Sequence, residues 1–140
     1  MSHAPQPVAI EERLSQAASL PDVLDAGFDA FEVIRTTARR YQHDVPGLFA
    51  AFMMTADAAV DGREALTVAP SLPPGGGTEP ASAVPLDAGI RQAADTLARL
   101  ATALHEQLTK AAAQAGSHDD NAACQQAAQA AKRISELMTR

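Results

Sequence analysis

Few side chains in this 140-residue sequence can do chemistry, and their spacing limits what chemistry is open to them. The imidazoles are His3, His43, His105 and His118. A di-iron bundle site needs inward Glu residues and Glu-x-x-His pairs on facing helices. A zinc hydrolase of the His-Glu-x-x-His type needs two His one turn apart. His105-Glu106 has no second His at either spacing, so the sequence predicts no metal centre and no cofactor. His118-Asp119-Asp120 follows Ser117 and reads as a helix start, where hydroxyl and carboxylate groups meet free backbone N–H groups.

Nucleophilic catalysis has no better footing. Cys124 is the lone thiol, so no disulfide can form within the chain. It lies on an Ala-rich stretch beside Gln125 and Gln126 with no base near it in sequence, which makes it core filler. Gly75-Gly76-Gly77 runs into Thr78-Glu79-Pro80 and lacks the Lys of a phosphate loop, so it reads as a linker. Arg35, Arg39, Arg40 and His43 could hold an anion. The same charges are accounted for by a helix C-terminus with Glu32 one turn away. Asp57 stands out as a carboxylate in an apolar stretch. It is expected on a narrow solvent-facing edge; buried, it would need Arg63 or Arg91 as a partner. The chain is not expected to be an enzyme.

Charge narrows the partners. A net charge of −6 leaves no basic stripe to displace counterions from nucleic acid. The turn at Asp44 leads into an apolar segment and not a basic recognition helix, so DNA reading by a helix-turn-helix is not expected. The longest apolar stretch, 45–60, contains Pro46, Gly47, Thr55 and Asp57 and is too short for a bilayer. The N-terminus carries no basic region followed by an apolar run. The expected setting is cytoplasmic, without a membrane.

Apolar spacing predicts the elements that position these residues. Ile10, Leu14, Ala17 and Ala18 predict a short helix over 8–18. Leu20, Leu24, Phe31, Ile34, Ala38 and Tyr41 predict a second over 21–42, with Pro21 in its first turn. A third is expected from an Asp44 cap to Val60, closed at Asp61-Gly62 by a left-handed residue. Eight Pro and Gly residues then punctuate 67–85, which predicts a long crossover. Ile90, Ala93, Leu97, Leu100, Leu104, Leu108 and Ala111 predict a fourth helix over 87–115, roughly 45 Å long. Ser117 or Asp119 caps the last, whose inner face carries Ala123, Ala127, Ala130, Ile134 and Leu137.

Every Phe and the lone Tyr fall in helices two and three, while helices four and five combine Leu or Ile with many alanines. The expected fold is all-α: one domain over 1–140, after a loose lead-in over 1–7. It is an antiparallel four-helix bundle of two α-hairpins joined by the Pro/Gly-rich crossover. Rings of the first hairpin are expected to fill space vacated by alanines of the second. The short N-terminal helix is expected to cover one end of helix four. Helix three, apolar nearly all round, lacks the polar face of a bundle helix. Three kinds of cover could satisfy it: its own chain, another subunit, or a ligand. The expected function is non-enzymatic interaction, through self-association as a homodimer or through a protein partner docked on helix three. The alternative is a carrier or sensor for a small apolar ligand, with a cavity lined by Phe28, Phe31, Phe49, Phe52, Met53 and Met54.

Overall fold

A computed structural model describes residues 7–43, 46–73 and 89–139. Among these the chain is all-helical, without a strand: α1 (Pro7–Gln16), α2 (Leu20–Tyr41), α3 (Phe49–Thr67), α4 (Ile90–Gln114) and α5 (His118–Met138), with a 3₁₀ turn at Pro46–Leu48 leading into α3. No helix among the described residues is long and apolar enough to cross a membrane.

Local chemistry sets most of the boundaries. The Ser19 hydroxyl accepts from the Asp22 N–H at 3.3 Å, starting α2 with Pro21 in its first turn. The Ser117 hydroxyl accepts from the Asp120 N–H at 3.0 Å and starts α5 in the same way. Gly89, at φ +87°, precedes α4 in a conformation that side-chain-bearing residues rarely adopt. The Asp44 cap expected from sequence lies outside the described residues.

Helix α3 corrects its expected end. It runs through Gly62 to Thr67 instead of stopping at Asp61-Gly62. A Cβ built on Gly62 would lie 2.4 Å from the Phe31 ring carbons. This glycine admits a ring against the helix backbone and does not cap it. Burying Phe31 there outweighs the ~1 kcal/mol that glycine costs inside a helix. The added turns bring Asp61, Arg63 and Glu64 into α3, so the helix is less uniformly apolar than residues 44–60 suggested.

Helices α2 and α3 run antiparallel, as do α4 and α5. The Tyr41 and Phe52 rings stack at 6.0 Å where α2 ends and α3 begins, and Phe31, midway along α2, meets Gly62 in the second half of α3. The Asn121 amide donates to the Ala112 carbonyl at 2.6 Å, and the Thr102 and Ser135 hydroxyls lie 3.2 Å apart, joining α4 to α5. Helix α3 also packs closely along α5, because the buried residues of α3 are mostly Ala and Gly and those of α5 include Ala123, Ala127, Ala128 and Ala131, small side chains that let the axes approach. Between α2 and α4 the contact is looser. Ile10 and Leu14 of α1, both fully buried, reach the core on the flank that α2 and α4 share.

Two expectations change accordingly. Phe31, Tyr41 and Phe52 pack between α2 and α3, while small residues face small residues between α3 and α5. Helix α1 runs along a flank and does not cover an end of α4. Arg13 bonds Asp29 at 2.9 Å and Asp25 at 3.3 Å on α2, and Glu11 bonds Arg99 of α4 at 3.2 Å.

Candidate docking surface

Helix α3 buries one face. Phe52, Thr55, Ala56, Ala58, Ala59, Gly62, Ala65 and Leu66 point inward at helical spacing. The remaining positions face outward and divide by chemistry along the helix. The first half presents Phe49, Ala50, Met53 and Met54; the second presents Asp57, Asp61 and Glu64. Leu48, Phe49, Met53 and Met54 are each 37–39% exposed and follow one another around the helix start. Large apolar side chains in this chain are otherwise mostly in the core, so four together at one helix end form a patch.

Basic groups border the apolar end. Arg39 and Arg40, in the last turn of α2, are exposed, and the His43 ring lies 5.9 Å from that of Phe49. Two turns earlier on α2, Glu32 binds both Arg35 and, across to α3, Arg63. Burial alone would push the Glu32 carboxyl upward, but the two guanidiniums hold it below its ordinary value. Arg35 and Arg63 are thereby engaged within the chain, leaving Arg39, Arg40 and His43 as the basic edge of the patch.

The candidates from sequence separate into two groups. Phe31 and Phe52 are sealed in the core and Phe28 is half-buried against it. Phe49, Met53, Met54 and Asp57 are on the surface. The six ring and thioether residues therefore do not line one cavity. Asp57 is exposed, as its edge position predicted; Arg63 pairs with Glu32, and Arg91 lines a groove of about 480 Å³ with Leu48, Ile90 and Met138. That groove meets the apolar patch at Leu48, a residue whose exposure its sequence context did not distinguish.

The remaining reactive groups are dispersed. His43 and His118 are exposed and His105 is half-buried; among the described residues no three of His, Cys, Asp and Glu converge. Cys124 is buried, and desolvation, reinforced by the nearby Asp120 charge, pushes its thiol up to about 11. Sequence reasoning missed the anchor formed by Asp120. Its carboxylate accepts from the Ser71 hydroxyl at 2.6 Å and the Ser71 N–H at 3.0 Å, tying the chain after α3 to the start of α5. No local pattern announces a bond across 49 residues.

Neither the family models, nor the curated proteins, nor the solved structures contain a match to this chain.

Proposed function

We propose that this chain is a non-enzymatic interaction module that docks a protein on the exposed first half of α3. In this reading the fold is an antiparallel four-helix bundle of two α-hairpins, α2–α3 and α4–α5, joined by the Pro/Gly-rich crossover, with α1 strapped to its side. The carrying observation is the contiguous exposure of Leu48, Phe49, Met53 and Met54 on a helix whose opposite face is packed. Removing such a patch from water contributes roughly 25 cal/mol per Å² of apolar area, and two methionines let it conform to a partner. An apolar-ligand carrier finds less support, because Phe31 and Phe52 are fully packed into the core.

Affinity capture with the purified protein tests this reading. The comparison is wild type against Met53→Ser/Met54→Ser, in extract of the source cells and in buffer alone. A protein retained by wild type and lost with the variant, whether another chain or a second copy, is the expected result. Identical retention by both, with helicity unchanged in the variant, would remove α3 as the docking face.

A further inference from the structure

We infer that α1 is an exchangeable insert: the seam between α2 and α4 is a groove for an amphipathic helix, filled by α1 and able to take the same helix from outside the chain. The inference stands apart from the docking reading of α3 and rests on how α1 is held. Helices α2, α3, α5 and α4 touch one another in a closed ring, and the contact between α2 and α4 is its loosest side. Helix α1 lies over that side, against both helices.

The seam has an apolar floor and charged rims. Two buried rows run along α2 at helical spacing. One, with Phe31 and Tyr41, meets α3. The other, Val23, Ala26, Ala30 and Val33, is turned roughly a quarter of the way round the helix, toward the side that carries Asp25 and Asp29. Ile10 and Leu14, one helical turn apart on α1, are sealed into the core from this flank. Arg13 reaches Asp25 and Asp29 on the α2 rim, and Glu11 reaches Arg99 on the α4 rim. An apolar pair four residues apart, with an arginine toward α2 and a carboxylate toward α4, is thus the pattern the groove reads.

Three features make the insert separable. Helix α1 has 10 residues, too few to stay helical alone, so docking and helix formation go together. Its ion pairs are solvated: the Arg13 and Arg99 side chains are 40% and 66% exposed, and an open groove of about 410 Å³ between α1 and α4 sets Glu11, Glu12 and Glu106 around Arg99. Helix α2 starts without help from α1, since the Ser19 hydroxyl satisfies the Asp22 N–H and Pro21 has none to satisfy. The ring of four therefore keeps its own contacts when α1 leaves.

Amide hydrogen exchange of the full chain and binding of a labelled peptide of residues 7–18 test this. The α1 amides are expected to exchange by local opening, at least about tenfold faster than the buried turns of α2 and α4. The peptide is expected to bind full-chain Leu14→Asp, whose own α1 is expelled. Wild type should bind it at least about tenfold more weakly, because the tethered helix competes. A peptide carrying Leu14→Asp should not bind, and one carrying Arg13→Glu should bind less tightly. Met53→Ser/Met54→Ser should keep the wild-type exchange pattern, so failure of the α3 docking face leaves the insert standing. Amides of α1 that exchange only with global unfolding overturn the inference. So does a Leu14→Asp chain that unfolds, since the ring would then depend on α1. A folded Leu14→Asp chain that ignores the peptide, or binds it no better than wild type, does the same.

Discussion

Asp120 is the most constrained carboxylate in the described chain, only 4% exposed and doubly bonded to Ser71. The Ser71 hydroxyl, with help from backbone and Ser117, outweighs burial and holds this acid below its ordinary 3.8. A carboxyl lowered on folding stabilises the native state above the unfolded value, and that contribution disappears as pH falls through the lowered one. Glu32 acts in the same direction through Arg35 and Arg63. Asp120→Asn is therefore expected to lose about 1–3 kcal/mol at neutral pH, read by urea denaturation. Its stability should also fall less steeply than wild type below about pH 4. Equal urea midpoints for the two proteins at neutral pH would mean that the Ser71 contact contributes nothing. Asp120 was legible in sequence as part of a helix start behind Ser117. Its second role was not, because Ser71 is brought to it only by the packing of α3 along α5.

At the scale of the element, α3 carries the clearest test of close packing. Ala normally gains ~1 kcal/mol over Gly inside a helix. At Gly62 the new Cβ would fall 2.4 Å from Phe31, whose ring is fully buried and has little room to move. Overpacking of this kind costs typically ~1–3 kcal/mol, so Gly62→Ala is expected to destabilise, and a concurrent Phe31→Leu to recover part of the loss. Thermal unfolding followed by circular dichroism reads both; a higher midpoint for Gly62→Ala alone would contradict the ring-on-backbone contact. Periodicity located α3 and its inward Phe52, but Asp-Gly as a local pattern pointed to a helix end. A glycine that ends a helix and one that admits a neighbour's ring look alike until the neighbour is in place.

For the molecule as a whole, α1 shows which interactions hold the parts together. Arg13 and its partner Asp25 are both more than a third exposed, so solvent screens the pair and each such bond is worth under ~1 kcal/mol. Leu14 is wholly buried, and its truncation to Ala costs roughly 2–5 kcal/mol. Leu14→Ala is thus expected to lower stability several times more than Arg13→Ala in chemical denaturation, and the reverse order would make α1 an electrostatic strap. The sequence by itself determined the helices, since apolar residues at 3.6-residue spacing, Ser caps and Pro/Gly breaks act within a few residues of one another. It determined as well that α3 would have apolar surface to spare. Only the tertiary structure decided which part of that surface stays exposed. Ala56, Ala58, Ala59 and Ala65 of α3 are buried in the core and its glycine lies against Phe31, while Phe49, Met53 and Met54 stay more than a third exposed. Burial is a property of what packs alongside, and residues distant in sequence supply it.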